Sequence, residues 1–216
     1  MIIRHLNEIE DVLKKKKVAI FDLDGTIIDS EILHFNAHNA VLKEGWGIEL
    51  SETDILKYIG FNEVKICRML EKEYNITIDT EDYANKRVGK YLEMSKDIVP
   101  YSYMKEFFDN WNIKPVLLTS QKEYVFKPMF TRWGWDEIFP EENRISLQNN
   151  TKTKKEVYEE YLSKYTKDEI IVFEDAIGTL QAARDLGLDH VAVMQHFNKN
   201  LLDEFEIVLK PVEMEE

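Results

Sequence analysis

Four short runs of apolar residues, each bounded by polar ones, indicate buried strands along this chain. The runs cover residues 18–21, 116–118, 170–173 and 190–194. They are continuous rather than alternating and rich in β-branched side chains, which is typical of strands that are covered on both faces. Such strands predict a parallel sheet.

The segments between these runs have apolar residues at helical spacing. Helices are predicted over residues 5–15, 103–111, 123–133, 155–164 and 179–186, and Gly187 supplies a stop for the last of them. Strands that alternate with helices predict the α/β class, here a Rossmann-like parallel sheet with helices on both faces.

Residues 31–98 break this alternation, because the pattern there is helical throughout. The predicted helices cover residues 32–42, 52–59, 63–74 and 80–94. Roughly seventy residues separate the first strand from the second, whereas an ordinary crossover needs about a dozen. We predict two domains: a core of residues 1–30 and 99–216, and an all-helical cap domain of residues 31–98 inserted into it.

Three of the predicted strands end on side chains suited to chemistry. Asp22 follows the first, Thr119 and Ser120 follow the second, and Glu174 and Asp175 follow the third. In parallel sheets of this class the ligand crevice lies at the carboxyl ends of the strands. Unpaired acids at the end of a buried strand are costly, which favours a functional role for them.

Asp22 and Asp24 lie two residues apart at a strand end, so their side chains point to the same side. Carboxylates so close need a cation between them or a proton on one of them. Mg²⁺ is typically held by one or two carboxylates together with substrate phosphate. One carboxylate can attack phosphorus, and the other can act as acid and then as base. We assign Asp22 as the nucleophile and Asp24 as the acid/base, with Gly25 allowing a sharp turn.

Composition narrows the class of partner. The net charge of the 216 residues is −13, which repels nucleic acids and anionic lipids, and the short lysine run at residues 14–17 is typical of a solvated helix end. We therefore expect neither nucleic acid nor a membrane as partner. The carboxylate chemistry described above favours a small phosphorylated metabolite as the partner. We expect the protein to be a monomer or small homo-oligomer. Cys67 is the one cysteine and the first residues do not resemble a signal peptide, so we expect a cytoplasmic location.

The segment from Asp22 to Ser30, with the sequence DLDGTIIDS, resembles the first motif of the haloacid dehalogenase superfamily, in its phosphatase-like branch with an inserted helical cap. The resemblance extends from Val18 to about Met194, and its parts come in the order of the family. It implies an aspartyl-phosphate mechanism with Mg²⁺. The dehalogenases of the superfamily lack the second aspartate, so Asp24 favours phosphoryl transfer.

The resemblance implies roles for later residues too. Thr119, with Ser120 beside it, matches the hydroxyl residue of the second motif, which contacts a phosphoryl oxygen. The third motif is a lysine before a helix, often within a Lys-Pro pattern that this sequence lacks. When residues 157 and 158 are aligned with the family's apolar pair, Lys152 takes that position, and Lys154 is the alternative.

The fourth motif is acidic, and Glu174 with Asp175 matches it. The resemblance implies that Asp175 binds Mg²⁺ directly, with Asp22 and Asp24, and that Glu174 is either a further ligand or a partner of one. His34, at the start of the cap, occupies the place of a histidine that lies near the substrate in many relatives.

Other functions stay open at this point. A phosphomutase resembling beta-phosphoglucomutase shares the capped fold, both aspartates and a histidine at the place of His34. Phosphonate cleavage requires a cap lysine, for which Lys65 is a weak match. A non-catalytic binding protein would retain the fold but would usually lose the nucleophile. The loop at residues 60–63, which resembles the specificity loop of capped members, does not identify the substrate.

Overall fold

The structure, a computed structural model, describes residues 1–51, 54, 57, 58, 63–149 and 152–214. The chain forms two compact units, Met1–Asp29 with Val99–Glu216, and Ser30–Ile98. We call the first the core unit, because it contains the sheet, and the second the helical unit, because its described residues form only helices and connections. No helix in the described ranges is long and apolar enough to cross a membrane.

The core unit is built on one sheet, in which seven parallel strands are described. They are β1 (Ile2–Ile3), β2 (Val18–Phe21), β3 (Lys114–Thr119), β4 (Arg144–Ser146), β5 (Ile170–Glu174), β6 (Asp189–Val193) and β7 (Val208–Leu209). Their order is β1-β7-β6-β5-β2-β3-β4. The four predicted strands are confirmed as β2, β3, β5 and β6. The other three were not predicted, because two or three residues carry too little pattern to differ from a loop.

Strand β2 is an interior strand between β3 and β5, which sets the position of the site. Ile20 of β2 is in register with Val116 of β3 on one side and with Val172 of β5 on the other. After β2 the chain continues to β3 and β4, and then crosses back to β5 and β6 on the opposite side. A ligand crevice forms where the direction of such connections reverses, at the carboxyl ends of the strands.

Eight α-helices are described along the chain. They are α1 (Glu10–Leu13), α2 (Glu31–Trp46), α3 (Glu63–Tyr74), α4 (Thr80–Met94), α5 (Ser102–Asn110), α6 (Glu123–Trp133), α7 (Lys154–Leu162) and α8 (Ile177–Asp185). The predicted first helix is shorter than expected: a 3-10 turn at Leu6–Ile9 precedes α1. The long helices of the core unit begin and end within two residues of their predicted bounds.

Both faces of the sheet are covered, as predicted for the α/β class. On one face Val157 of α7 belongs to the same buried cluster as Val18 and Ile20. On the other face Phe107 of α5 meets Phe21 edge-on, with ring centroids 5.0 Å apart. Because alternate residues of a strand point to opposite faces, a strand with two apolar faces is apolar throughout.

The helical unit has an apolar core of its own. Helices α2, α3 and α4 contribute to one buried cluster, which includes Phe35, Leu42, Leu70 and Tyr83. Helices α3 and α4 have the predicted bounds, whereas α2 passes its predicted end and stops at Gly47, which is left-handed with φ 68°. The helix predicted at residues 52–59 falls largely outside the described residues.

Candidate active site

The loop after β2 places Asp22 at the carboxyl edge of the sheet, between the ends of β3 and β5. The backbone N–H of Asp22 donates to the Phe173 carbonyl on β5 at 3.1 Å, so Asp22 is still tied to the sheet. The chain then turns at Gly25, whose φ is 70°. A Cβ added to Gly25 would lie 2.7 Å from Cγ of Asp175, which is a collision. Glycine is required here by its conformation and by this close approach.

Strand β5 ends on Glu174, and Asp175 follows it; both are buried, with 1% and 6% of their surface exposed. Glu174 Oε1 accepts hydrogen bonds from the backbone N–H groups of Asp175 and Ala176, each at 3.1 Å. Its Oε2 accepts from Lys154 Nζ at 2.6 Å. Asp175 Oδ1 accepts from the Thr26 hydroxyl at 3.2 Å. Both carboxylates are therefore oriented by donors around them.

Lys154 is the lysine that reaches the carboxylates. Its Nζ lies 2.9 Å from Asp22 Oδ1 as well as 2.6 Å from Glu174 Oε2, and only 13% of its side chain is exposed. Lys152, which the sequence alignment placed at this position, instead forms an ion pair with Glu160 of α7, and 42% of its side chain is exposed. The expectation that Lys152 lies beside Asp22 is therefore corrected in favour of Lys154.

The start of α7 explains the difference between the two lysines. The Thr153 hydroxyl oxygen accepts from the Glu156 N–H at 3.3 Å, and Glu156 Oε2 accepts from the Thr153 N–H at 2.6 Å. This capping box makes Lys154 the first helical residue, whereas Lys152 precedes the cap. The family's prolines are missing here, but the Thr-x-x-Glu spacing of residues 153–156 was a sequence marker for this helix start, which the alignment of the lysines did not use.

Three carboxylates converge at this edge of the sheet. One oxygen atom each from Asp22, Glu174 and Asp175 lies within 4.8 Å of the others. The buried Asp22 Oδ1 forms an ion pair with Lys154 but has no partner with hydrogen-bond geometry. Three carboxylates and one ammonium group leave an excess of negative charge, and hard cations such as Mg²⁺ prefer oxygen ligands. The donor set fits a divalent cation.

The pKa shifts of the cluster show the same excess of acidic groups. Burial raises the pKa of Asp22, Glu174 and Asp24 raise it further, and Lys154 opposes them. Burial, followed by Glu174 and Asp22, raises the pKa of Asp175 well above its ordinary value. Burial by itself would lower the pKa of Lys154, but Asp22 and Glu174 reverse this effect and raise it. Lys154 is a cation paired with Asp22 and Glu174. A further cation would stabilise the ionised form of the third acid, Asp175.

Thr119 and Asp24, also predicted for this site, lie at the same edge of the sheet. Thr119 ends β3 and is buried, and its Oγ1 accepts the Gln121 N–H at 3.0 Å, which leaves its hydroxyl proton for another acceptor. Ser120 is exposed. Asp24 is partly buried and bridges through its backbone to Ile28, but its carboxylate is not one of the three described as converging. The roles of Asp24, Thr119 and Ser120 stay predictions.

His34 lies within the helical unit. Its ring stacks on Tyr91 of α4, with centroids 4.4 Å apart, and its Nδ1 lies 3.3 Å from Nη1 of Arg87. Arg87 in turn binds the Glu63 carboxylate, with distances of 2.9 and 3.0 Å from Nε to the two oxygens. The expected contact of His34 with substrate stays a prediction. Residues 60–62 of the expected specificity loop lie outside the described residues.

Sequence reasoning assigned no role to three residues that hold the site together. Thr26 binds Asp175 through its hydroxyl, while Gln195 and Asn198 bind the backbone of the two carboxylate-bearing loops. A signal for Gln195 was present, because it directly follows the fourth predicted strand, as Asp22 follows the first. Polar residues after a strand end are informative even when they are not ionisable.

Comparisons with known proteins identify the family of this chain. The profile of the haloacid dehalogenase-like hydrolases matches residues 19–193. The chain is 25% identical over 209 residues to the phosphorylated carbohydrates phosphatase of Thermotoga maritima, covering 92% of this chain and 96% of that protein.

Two solved structures share the fold. One is a HAD hydrolase, family IA, variant 3, from Entamoeba histolytica, with a TM-score of 0.74, 21% identity, and coverage of 90% of this chain and 93% of that one. The other is CbbY from Rhodobacter sphaeroides in complex with phosphate, with a TM-score of 0.73, 16% identity, and coverage of 91% and 94%. Fold, strand-end acids and sequence profile together show that the chain belongs to the haloacid dehalogenase-like hydrolases.

Proposed function

We propose that this protein is a Mg²⁺-dependent phosphatase that hydrolyses a small phosphate monoester through an aspartyl-phosphate on Asp22. One observation carries the proposal: the Asp22 carboxylate lies at the end of β2, 2.9 Å from the Lys154 ammonium group and within 4.8 Å of oxygens of Glu174 and Asp175. A nucleophilic carboxylate can approach a phosphate dianion only where positive charge offsets their repulsion. Lysine supplies part of that charge.

In the first half-reaction an Asp22 oxygen attacks phosphorus, and the bond from phosphorus to the ester oxygen breaks. The leaving alkoxide takes a proton, which we assign to the Asp24 carboxyl group. Asp24 lies close enough to Asp22 to raise its pKa. The products are the free alcohol and a phosphorylated Asp22.

In the second half-reaction water attacks the phosphorus of the aspartyl-phosphate. Asp24, now ionised, accepts a proton from this water, and the bond from phosphorus to Asp22 breaks. Phosphate leaves, and both carboxylates return to their starting states. One residue thus serves as acid and then as base, so the proton balance closes over the cycle.

The remaining residues hold charge and orient groups. We assign Asp22 and Asp175 as the side chains that hold Mg²⁺, which would neutralise charge on the phosphoryl oxygens when bound. Glu174, whose two oxygens already accept three hydrogen bonds, holds Lys154 in position. Thr119 is assigned to donate its hydroxyl proton to a phosphoryl oxygen.

A substrate that carries a phosphate group fits the Lys154 ammonium group and the expected cation. The partner is a small phosphorylated metabolite, and a sugar phosphate is the first class to test because a 25% identical relative is named for phosphorylated carbohydrates. We assign the choice of substrate to the helical unit, as an inserted cap domain. A single cysteine, buried as a free thiol, fits a reducing compartment such as the cytoplasm.

Phosphate release from p-nitrophenyl phosphate and from a panel of sugar phosphates, with and without Mg²⁺, tests the proposal. We expect turnover by the wild type with Mg²⁺ and a loss of at least about 10³-fold in Asp22→Asn, because the amide cannot act as the nucleophile. Asp185→Asn, at the exposed end of α8, is the matched control and should retain full activity. Unimpaired turnover by Asp22→Asn would refute the mechanism. Isomerisation of a sugar phosphate without phosphate release would identify a mutase instead.

A further inference from the structure

Two buried amide side chains lie in the turn that follows β6. Gln195 and Asn198 are polar, yet only 1% and 0% of their respective surfaces are exposed. The backbone N–H of Gln195 donates to Asn198 Oδ1 at 2.7 Å, so the two residues form one closed turn. Burial of amides is costly unless their hydrogen bonds are made, so the partners of these side chains are informative.

These partners belong to the two loops that carry the acidic cluster. Gln195 Nε2 donates to the Gly25 carbonyl at 2.6 Å, in the loop that begins with Asp22. Asn198 Nδ2 donates to the backbone carbonyl of Asp175 at 2.9 Å. A single turn thus binds the main chain on both sides of the site. We call Gln195 and Asn198 the amide brace.

The brace is anchored on the rest of the core unit. Asn198 Nδ2 also donates to the Val193 carbonyl at the end of β6, at 3.0 Å. Tyr101 exchanges hydrogen bonds with the Gln195 amide, with distances of 3.0 and 3.2 Å from its hydroxyl oxygen, and its own backbone N–H donates to the Ile27 carbonyl at 2.8 Å. Through the brace, the two loops are therefore hydrogen-bonded to the end of β6 and to Tyr101 as well as connected to each other.

The loop after β2 and the loop after β5 are closely packed against each other, so their separation can change little. The Asp175 carboxylate occupies the space that a side chain at Gly25 would fill, and the Thr26 hydroxyl binds the same carboxylate at 3.2 Å. A carboxylate from each loop, Asp22 and Asp175, contributes to the converging cluster. A shift of either loop would change the distance between the two carboxylates, and Mg²⁺ demands near-ideal geometry from its ligands.

We propose that Gln195 and Asn198 are positioning residues that set the spacing of the Asp22 and Asp175 carboxylates for Mg²⁺. The inference rests on the proposed function, since it takes these two carboxylates as metal-binding. Neither amide touches the reacting atoms, so neither is a catalytic residue. Loss of groups that orient metal ligands typically weakens metal binding by about 10- to 100-fold.

Calorimetric titration of the full chain with Mg²⁺ tests this inference without depending on turnover. We expect Asn198→Ala to raise the Mg²⁺ dissociation constant about tenfold. Gln195→Met, which keeps side-chain volume and neutrality, should raise it in the same direction, and it serves as the second variant if Asn198→Ala does not fold. Both proteins are checked by circular dichroism and thermal unfolding.

Asn39→Ala is the matched control. Asn39 also spans two backbone groups, with Nδ2 donating to the Leu50 carbonyl at 2.9 Å and Oδ1 accepting the Leu50 N–H at 2.7 Å, but it belongs to the helical unit. Its loss should lower stability and leave the Mg²⁺ dissociation constant within about twofold of the wild type. An equal weakening in this control would overturn the inference, because it would show a general effect of lost stability.

The outcomes separate this inference from the proposed function. If wild type binds Mg²⁺ and releases phosphate while both brace variants bind Mg²⁺ as tightly as wild type, only the inference fails. If wild type neither binds Mg²⁺ nor releases phosphate, the proposed function fails with it. If the brace acts as inferred, turnover by Asn198→Ala at saturating Mg²⁺ should recover most of what is lost at low Mg²⁺, with KM for the phosphoester within about twofold of wild type.

Discussion

Lys154 is bound by two acids at once, with its Nζ 2.9 Å from Asp22 and 2.6 Å from Glu174. This ammonium group is the positive charge that the chain itself offers to a phosphoryl group. We expect Lys154→Met to lower kcat/KM by about 10² to 10³, the usual cost of removing one preorganised group that stabilises developing charge. Steady-state kinetics at saturating Mg²⁺ measure this loss.

Lys152→Met is the control for Lys154→Met, because it removes the same side chain two residues away. Lys152 pairs with Glu160 at the surface, where an ion pair contributes about 1 kcal/mol or less to stability. Its kcat/KM should stay within about twofold of wild type. A larger loss in Lys152→Met than in Lys154→Met would reverse the assignment of the phosphate-binding lysine.

Gly25 combines a left-handed backbone with the close approach of Asp175. We expect Gly25→Ala to cost about 1 to 2 kcal/mol from its conformation alone and, in addition, to displace the Asp175 carboxylate and abolish Mg²⁺-dependent turnover. Urea unfolding and phosphate release are the measurements.

Gly134 separates the two effects of the Gly25 substitution. It has a similar φ of 72° at the end of α6, but an added Cβ would meet no atom within 4 Å among those described. Gly134→Ala should therefore lose similar stability and keep its activity. Full activity in Gly25→Ala would show that the approach of Asp175 has no bearing on the site.

At the scale of elements, the start of α7 decides which lysine enters the site. Its capping box joins Thr153 and Glu156, and Lys154 follows the cap directly. We expect Thr153→Ala to lower the free energy of unfolding by about 1 kcal/mol and to reduce kcat/KM as well, because a frayed first turn no longer holds the Lys154 ammonium group in place.

Thr166 offers a comparison, since it forms a capping box with Glu169 ahead of β5. Thr166→Ala removes a similar cap at the amino end of a strand, away from the strand ends that carry the acids. It should lose stability without a matching loss in kcat/KM. If both variants lost activity equally, the effect would belong to stability and not to Lys154.

The parallel sheet accounts for the convergence of the acids. Strands β2, β3 and β5 are neighbours, so the residues that follow them meet at one edge even though they lie far apart in sequence. This consequence could be predicted, because parallel strands share a direction and their carboxyl ends meet. The short strands β1, β4 and β7 could not be predicted, because two or three residues are too few to show a pattern of apolar positions.

At the scale of the whole molecule, a buried histidine makes stability depend on pH. In the helical unit, burial lowers the pKa of His38 to about 3, helped by Arg87 and His34, and its Nδ1 lies 2.8 Å from the Tyr83 hydroxyl oxygen. His38 is neutral in the folded chain near neutral pH. Unfolding restores its ordinary pKa near 6.5, so the unfolded state binds more protons between about pH 6.5 and pH 3.

Stability should therefore fall as pH falls through this window. At pH 5 the proton that His38 binds only in the unfolded state lowers the free energy of unfolding by about 2 kcal/mol. This loss vanishes above about pH 7. Urea unfolding of wild type and His38→Gln at pH 7.5 and 5.0 measures it, since every other titrating group is common to both proteins. An equal loss between these pH values in both proteins would contradict the prediction.

Much of the whole molecule was readable from the sequence alone. Buried strands, amphipathic helices and the all-helical stretch between β2 and β3 each have a periodicity that local residues determine. Helices α3, α4 and α6 were predicted to the residue, because apolar spacing and the flanking polar residues mark their ends. Asp22, Glu174 and Asp175 were found because acids at the end of an apolar run conflict with burial unless they have a partner.

The tertiary structure alone decided which side chains meet. Lys154 rather than Lys152 lies beside Asp22, Asp175 fills the space left by Gly25, and Gln195 with Asn198 ties two loops together. None of these contacts has a sequence periodicity, because each depends on where a helix begins or how a loop turns in three dimensions. The sequence determined the four longer strands, most of the helices and the acids, whose signals are local, and the fold determined the partners of those acids.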